Sequence, residues 1–231
     1  MKGAFSSPDS VLARKMQETL FPDSPYRVES GGDPKYIPDL TQEQFVAFHK
    51  KYYHPSNSYL YIYGNGNILE YLKFIDKEYL SKFQKTQVDS KIPIQKSFDR
   101  PKEVTIDYPI SKGEREVDKT FLALSFVVGK STDAETYLAF DILTYLLLQT
   151  SSAPLKRALI DADLGKDVTG SFESSILQPM FNIVVKNSNP EKKENFESVV
   201  FKTLEGLVKE GIDKKLVEAA INRYEFSLRE A

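Results

Sequence analysis

The chain of 231 residues contains no cysteine, no tryptophan and only two histidines. Without cysteine there can be no disulfide, no thiolate metal site, no cysteine nucleophile and no cysteine-bound iron–sulfur cluster. An excess of basic charge is also lacking, because 31 lysines and arginines face 33 acidic residues, for a formal net charge of −2. Nucleic-acid binders usually carry a basic patch or stripe, so we expect no nucleic-acid partner.

Long hydrophobic runs are absent as well. The longest purely apolar stretches are short, such as the three leucines at 146–148, whereas a membrane-spanning helix needs about 20 apolar residues. The first nine residues carry an early acid and no apolar core, so they do not resemble a targeting peptide. These features predict a soluble, intracellular protein with no membrane partner, located in the cytoplasm or an organelle matrix. The 41% of hydrophobic residues suffices for one large domain or two ordinary ones.

The first 80 residues predict three helices and one strand. Ser7 is predicted to cap a helix that begins at Pro8, and Thr41 with Gln44 three residues later is a capping box. Residues 21–40 are rich in proline and glycine and predict a long surface loop. The first predicted helix covers about 8–20. The second begins at Thr41 and is stopped by His54-Pro55, and the third follows the Asn67 cap and reaches Leu80. The predicted strand covers 58–63.

The apolar pattern weakens after Ser81, and we place a linker at residues 91–102. Strands are predicted over 103–108, 119–128, 167–175 and 180–185, and helices over 133–149 and 154–162, followed by two more helices at the end of the chain. This order is not a strict alternation of strand and helix. It predicts an α+β fold with an antiparallel-rich sheet and helices packed on one face.

The two histidines do not have the spacing of a zinc helix. His49 and His54 are five residues apart, so on a helix their side chains would point about 140° apart, and Pro55 ends the helix in any case. No acidic residue stands between them, whereas zinc peptidase helices place a glutamate beside two histidines. We therefore interpret His49 as a core or helix-end residue and His54 as a turn residue.

Other catalytic motifs are also missing. No Gly-x-Ser-x-Gly motif presents a serine nucleophile. Residues 64–67 (Gly-Asn-Gly-Asn) lack the rest of a phosphate-binding loop and predict a tight turn with an asparagine cap. Residues 31–34 (Gly-Gly-Asp-Pro) predict a structural turn. The sequence thus predicts no catalytic residue and no metal ligand in this chain, and it leaves any substrate-binding residues unknown.

Several segments together resemble one enzyme family. These are MKGAFSSPD at 1–9, LFPD at 20–23, SGGDP at 30–34, FHKKYYHPSN at 48–57, YGN at 63–65, SAPL at 152–155, LI at 159–160, LG at 164–165 and EAAIN at 218–222. They are similar to the presequence-protease branch of the pitrilysin and insulinase zinc metallopeptidases. The resemblance spans nearly the whole chain.

That family binds zinc through two histidines of an inverted His-x-x-Glu-His helix and through a more distant glutamate, and the internal glutamate of the helix activates water. This chain contains no His-x-x-Glu-His, and the family's third ligand would immediately precede Met1. The resemblance therefore implies zinc in the parent enzyme, a metalloendopeptidase, but none bound to this chain, which alone is expected to be inactive. The arginine and tyrosine that polarise the family's substrates come from its second half, so Arg223 and Tyr224 are not assigned that role.

The resemblance also implies a domain organisation. Residues 1–90 would be the C-terminal part of a first insulinase-like domain of the catalytic type, 91–102 a linker, and 103–231 a second such domain that is truncated at its C-terminus. In the family, two halves close over short unstructured peptides, which add to a sheet edge as an extra strand. The expected partners are therefore such peptides, together with an N-terminal catalytic segment and a C-terminal half that this chain lacks.

A different class of function remains open. The chain could instead be a stand-alone, noncatalytic subunit or scaffold that pairs with an active metallopeptidase. The last helix runs to Ala231 without a glycine cap or proline stop, which favours a piece of a longer protein. Composition and the resemblance together imply the bacterial cytoplasm or the mitochondrial matrix. If part of the first domain's sheet is missing, we expect exposed apolar surface around Phe45, Tyr59 and Tyr61 and self-association.

Overall fold

The computed structural model of the protein describes residues 7–230. The family-like residues 1–6, and Ala231 at the predicted cut end, lie outside this range. The chain divides into two compact units: Glu29–Pro93 forms one, and the described residues on either side of it form the other. One edge of the smaller unit lies inside the predicted linker at 91–102. The assignment of 1–90 and 103–231 to two family domains stays a prediction.

A small antiparallel sheet lies at the centre of the larger unit. Its strands are β1 (Thr120–Val127), β2 (Asp167–Glu173) and β3 (Met180–Ser188), in the order β1-β3-β2. The register pairs Leu124 with Ile183, and Ile183 with Gly170. The strands are rich in β-branched and aromatic residues, as expected of a pleated surface that is covered on at least one side.

Four helices accompany this sheet. They are α4 (Ala134–Thr144), α5 (Pro154–Asp161), α6 (Lys193–Glu210) and α7 (Lys214–Arg229), and a π-helical turn over Tyr145–Gln149 extends α4. The apolar faces of α5, α6 and the π-helical turn meet alternate residues of the strands in one buried cluster, and Phe140 and Leu143 of α4 pack against it. Helix α7 contacts α4 and the π-helical turn. The members of the cluster are Leu122, Leu147, Leu148, Leu155, Leu159, Leu164, Val168, Phe181, Ile183, Val185, Phe196 and Val200. The predicted α+β class, with an antiparallel sheet and helices on its face, is confirmed.

Helix α1 (Pro8–Leu20) lies against the opposite face of the sheet. Leu124 packs against the buried cluster, and the next residue, Ser125, therefore faces the other side of the sheet. The Ser125 hydroxyl donates to Met16 Sδ at 3.0 Å. Lys186, next to core residue Val185, forms an ion pair with Asp9 at 2.5 Å. The sheet is therefore covered on both sides, with the larger core on the side of α4 to α7.

A network of buried amides joins three distant parts of the larger unit. The Gln95 backbone N–H donates to Gln178 Oε1 at 2.7 Å, and Gln178 Nε2 donates back to the Gln95 carbonyl at 3.1 Å. The Gln95 side chain accepts from the Asp23 N–H at 2.9 Å and donates to Asp23 Oδ2 at 2.8 Å. Because buried polar groups need partners, this network fixes the loop after α1 against the β2–β3 connection.

The unit Glu29–Pro93 contains two short helices and long stretches without regular structure. Helix α2 (Gln42–Tyr52) begins with the predicted capping box of Thr41 and Gln44, and α3 (Ile68–Glu78) is capped by Asn67. Neither helix has a buried residue. Outside the helices and short 3₁₀ turns, residues 58–67 and 83–93 form no helix or strand. Among residues 7–230, no helix is long and apolar enough to cross a bilayer.

Four local predictions are wrong. Residues 58–63 and 103–108 do not form strands. A strand needs a hydrogen-bonding neighbour, and apart from the Ser58 N–H, which donates to the Pro55 carbonyl, neither segment makes a backbone hydrogen bond to another described residue. Ser7 does not cap α1 with its side chain, although Pro8 does begin the helix. The third helix ends at Glu78, and Leu80 starts a separate 3₁₀ turn.

An acidic residue just before β1 makes the stability of the larger unit depend on pH. Hydrogen bonds from Lys166 and Asn189 hold the pKa of Asp118 below its usual value, and Asp118 itself adopts φ 58°. A lowered pKa stabilises the folded state above the unfolded pKa of about 4, and this stabilisation disappears as the pH falls through the folded pKa. We expect the difference in free energy of unfolding between the wild type and D118N to shrink as the pH falls below about 4.

Asparagine is a suitable replacement because it also tolerates a positive φ. Unfolding in urea between pH 7 and pH 2.5, followed by circular dichroism, measures this difference. The variant K166Q is the matched test, since it removes the first hydrogen-bond partner and should reduce the same pH dependence. A wild type and a D118N variant whose stability curves run parallel over the whole range would contradict the prediction.

Candidate functional site

The two histidines lie in the unit Glu29–Pro93 and have local partners. His54 Nδ1 accepts the backbone N–H of Ser56 at 3.1 Å, and its ring meets Phe83 edge-on with 5.4 Å between centroids. His49 is exposed at the end of α2 and stacks on Tyr53 at 4.6 Å. His54 is thus the turn residue predicted, and His49 is a helix-end residue rather than a core residue.

These positions do not fit a zinc site. Within residues 7–230, no three histidine or acidic side chains come together in a group that could hold a metal ion. His54 already uses Nδ1 to accept a backbone N–H, and neither histidine has an acidic companion at the spacing of a zinc helix. Zinc sites in proteins need three or four such ligands at about 2.0–2.3 Å. No step of zinc chemistry is therefore assigned to the residues described.

Arg223 and Tyr224 contribute to helix packing. The Arg223 guanidinium lies 4.4 Å from the centroid of the Tyr145 ring, which connects α7 to the turn that follows α4. Burial, together with the nearby carboxylate of Asp141, raises the pKa of Tyr224. Both contacts are within the larger unit and stabilise one helix against another. That neither residue is catalytic stays a prediction.

The two glycine-rich motifs are turns. The Asn67 side chain accepts from the backbone N–H groups of Leu69 and Glu70, so it caps α3, as predicted. Gly32 has φ 79°, and a β-carbon there would lie 3.0 Å from the Ile37 side chain. Glycine suits position 32 because the backbone is left-handed there and an added β-carbon would press against the Ile37 side chain.

Two open concavities in the described part of the chain are each lined mainly by one stretch of backbone. One, of about 770 Å³, is lined by residues 97–104, and the other, of about 460 Å³, by Ser56 and residues 85–88. A ligand site usually combines an apolar wall with a few convergent polar groups from separate parts of the fold. Each of these concavities follows mainly one stretch of backbone, so neither has the form of an active site.

The outer edges of the sheet are the features most suited to binding a peptide. Within the described residues, β1 and β2 each pair only with β3, which leaves one side of each strand without a neighbouring strand. Such an edge can accept an extended peptide through main-chain hydrogen bonds. Tyr108 lies beside the start of β1, where its hydroxyl donates to the Lys119 carbonyl and its ring is 5.9 Å from that of Phe121.

Sequence reasoning missed the buried polar residues of the sheet. Asn182 in β3 is almost fully buried, and its Nδ2 donates to Ser171 Oγ at 3.2 Å. Its Oδ1 has no hydrogen-bond partner among the described residues. Asn182 stands between Phe181 and Ile183, whose side chains lie in the core, so its own side chain is on the other face of the sheet. Strand periodicity predicts that face but does not predict that Asn182 is buried there.

The sequence is similar to a known protein family and to curated proteins from several organisms. Residues 39–224 match the family model described as the peptidase M16 inactive domain. The chain is 54% identical over 230 residues to Protein HypA of Clostridium perfringens, and this match covers 100% of the chain and 24% of that protein. It is 38% identical to presequence protease 1 of Arabidopsis thaliana, chloroplastic/mitochondrial, covering 100% of the chain and 22% of the relative. The chain thus spans about a quarter of the length of these relatives.

Solved structures show the same fold at low sequence identity. A peptidase M16 inactive domain from Pseudomonas fluorescens superposes with a TM-score of 0.64 at 19% identity, over 99% of this chain and 53% of that chain. A protease from Helicobacter pylori superposes with a TM-score of 0.57 at 19% identity, over 96% of this chain and 58% of that chain. At this identity the likeness establishes the fold.

Proposed function

The chain belongs to the peptidase M16 family, and on that premise we propose that it is a noncatalytic portion of a zinc peptidase that degrades short, unstructured peptides. In this proposal the zinc site lies in polypeptide that this chain does not contain. The whole enzyme would act in the bacterial cytoplasm or the mitochondrial matrix. The chain would contribute structure, and a sheet edge that faces the substrate chamber.

The match to the inactive-domain model over residues 39–224 is the observation that carries this proposal. The identity to presequence protease 1 extends over the full chain and supports a peptide substrate. The positions of His49 and His54, without an acidic third ligand among the described residues, support a noncatalytic role for this part. A zinc peptidase needs three protein ligands and an open coordination position for water, and in this proposal other polypeptide supplies them.

The alternative is a stand-alone, noncatalytic partner of an active metallopeptidase. The inactive-domain description fits that function equally well. The unit Glu29–Pro93, which lacks any buried residue, favours the first proposal, because a free subunit needs a core in each of its units. Both candidates predict that the chain alone has no zinc and no activity. A chimera with presequence protease 1 separates them, because only a portion of such an enzyme is expected to support cleavage from within its chain.

We expect the purified chain to bind less than about 0.1 equivalent of zinc and to show no chelator-sensitive cleavage of an unstructured fluorogenic peptide, since a stable site needs three or four ligands. Metal content is measured by mass spectrometry after incubation with zinc and gel filtration. A variant carrying H49A and H54A is the matched control, because any residual zinc that it retains does not depend on histidine.

The positive arm replaces the aligned segment of presequence protease 1 of Arabidopsis with this chain, to which it is 38% identical. We expect the chimera to keep peptide cleavage that a chelator abolishes. Stoichiometric zinc and chelator-sensitive cleavage by the chain alone would overturn its noncatalytic role. A folded chimera without any cleavage would contradict the assignment to a peptide-degrading enzyme.

A further inference from the structure

Asn65 is the only asparagine of the chain that is followed by a glycine. An asparagine in such a pair can react within the chain, because the main-chain nitrogen of the next residue can attack the carbon of the side-chain amide. Glycine favours this attack, since it has no β-carbon to crowd the ring that forms and its backbone has the most conformational freedom. The pair lies in the turn that precedes the Asn67 cap of α3.

The turn leaves both reacting groups without a partner. Asn65 and Gly66 are exposed and lie outside the helices and strands. Neither the Asn65 side chain nor the Gly66 N–H makes a hydrogen bond to another described residue. Just before them, Gly64 has φ 138°, and nothing lies within 4 Å of a β-carbon built there. The backbone can therefore rotate at this turn without breaking a hydrogen bond between described residues.

The other seven asparagines do not share this combination. Asn67 holds the start of α3 with its Oδ1 and is followed by the β-branched Ile68. Asn182 is almost fully buried in β3, and Asn189 precedes a proline, which has no N–H to react. The remaining ones are Asn57 and Asn187, whose side chains donate to main-chain carbonyls, and Asn195 and Asn222, which lie inside α6 and α7.

We propose that Asn65 is a site of spontaneous deamidation, at which the chain acquires an aspartate or an isoaspartate. The Gly66 nitrogen forms a bond to the side-chain amide carbon of Asn65 and gives up its proton. The amide nitrogen leaves with that proton as ammonia, and a succinimide ring remains. Water then opens the ring at either carbonyl. One opening gives aspartate, and the other gives isoaspartate, in which the main chain runs through the former side chain. Water is the only co-reactant, and nothing is oxidised or reduced.

The surroundings of the turn accommodate a charged product. Asn65 stands two residues before the cap of α3, and the positive end of a helix dipole favours a carboxylate. Because Asn65 makes no hydrogen bond to another described residue, its conversion removes none. The isoaspartate form carries a free α-carboxylate, which is the group that isoaspartyl methyltransferases modify. The modified turn is therefore a substrate for that class of enzyme, and this inference is independent of the proposed function.

Incubation of the purified chain at neutral pH and physiological temperature tests the proposal. Brief peptic digestion in acid, which suppresses further deamidation, is followed by mass spectrometry, and fragment spectra report the conversion of amide to acid at each asparagine. We expect Asn65 to convert at least about 10-fold faster than Asn67, since glycine leaves the attacking nitrogen uncrowded and the cap holds the Asn67 side chain. Labelling by an isoaspartyl methyltransferase with a radioactive methyl donor should increase with the same time course.

A synthetic peptide of residues 60–71 measures what the fold contributes. We expect Asn65 in the chain to convert within about threefold of its rate in the peptide, because no hydrogen bond of the turn has to open first. A peptide that converts more than about 10-fold faster than the chain would show that the fold protects Asn65, and the proposal would then be wrong.

The variants G66A and N67S form a matched pair. G66A adds a β-carbon beside the attacking nitrogen, and conversion of Asn65 should slow at least about 10-fold. That carbon would press on the hydroxyl of Tyr71, whose ring is about half exposed and can move. N67S keeps a good helix cap and the Asn65-Gly66 pair, so its rate should equal that of the wild type. Circular dichroism reports that both variants have folded. If G66A does not fold, N65S replaces it, and methyl labelling should then disappear.

Two results would overturn the inference: conversion at Asn65 no faster than at Asn67, or a folded G66A variant that converts as fast as the wild type. Methyl labelling of equal extent in N65S would place the isoaspartate at another position and would contradict it as well. None of these measurements depends on zinc or on peptide cleavage. A failure of the proposed function therefore leaves this inference standing, and the reverse also holds.

Discussion

Replacing Leu159 with alanine is expected to lower the free energy of unfolding by about 2–5 kcal/mol. Leu159 is 0% exposed and lies on α5 within the buried cluster against the sheet. The substitution removes the transfer free energy of three carbon atoms and leaves a cavity that the surrounding side chains fill only partly. Because the chain has no tryptophan, urea unfolding is best followed by circular dichroism.

The next residue on the same helix provides the control. Ile160 is 50% exposed, so I160A keeps the same helix and removes an aliphatic side chain of the same size from a largely wet position. We expect its cost to be below about 1 kcal/mol, since only buried area contributes to the loss. Similar losses for both variants would contradict the position of α5 relative to the core. If L159A does not fold, L159M tests the same packing with less loss of volume.

Replacing Gly165 with alanine is expected to destabilise the larger unit by about 1–3 kcal/mol. A β-carbon at Gly165 would lie 2.5 Å from the Lys186 carbonyl oxygen and 2.5 Å from Val185 Cγ1. Atoms cannot approach so closely, so the main chain of β3 must move. That movement also strains the hydrogen bond from the Lys166 N–H to the Lys186 carbonyl, which is 3.0 Å long.

A second glycine makes the opposite prediction. Gly206 lies inside α6, and nothing is within 4 Å of the β-carbon that alanine would add. Since alanine is the better helix former, G206A should raise the free energy of unfolding by about 0.5–1 kcal/mol. Both variants add the same methyl group. A change in the free energy of unfolding that is opposite in sign at the two positions therefore reports the local backbone and its neighbours, not the substitution itself. Equal effects of the two variants would contradict the close approach of residue 165 to β3.

Helix boundaries were predictable because their signals are local. Pro8 begins α1, and Thr41 with Gln44 forms the capping box before α2. Asn67 caps α3 through the two N–H groups that its side chain can reach. Each of these contacts lies within four residues along the chain, so neighbouring residues decide it wherever the helix is placed.

The two wrong strands show where local signals stop. Residues 58–63 and 103–108 have strand composition, yet both stay unpaired among the described residues. Strands β2 and β3 have comparable composition and do form, because each lies beside the other in the register that places Val185 and Ile183 in the core. A strand depends on a neighbour that the sequence of the segment does not specify.

The candidate site was likewise predictable from the sequence only in part. The spacing of His49 and His54 ruled out a zinc helix from the sequence, and the structure places both histidines in local contacts. The absence of catalytic and metal-binding residues from the chain as a whole stays a prediction, which the zinc and activity measurements test. The peptide-binding edge could not be chosen from the sequence, because edges exist only after strands have been ordered into a sheet.

The sequence by itself determined the class of fold, the ends of most helices, the family resemblance and the lack of any cysteine chemistry. These depend on composition and on residues a few positions apart. Only the tertiary structure decided that Gln95 meets Gln178, that α1 covers the second face of the sheet, and that Glu29–Pro93 has no buried residue. Such outcomes are set by contacts between residues far apart in the chain, and burial is a property of those contacts rather than of any one segment.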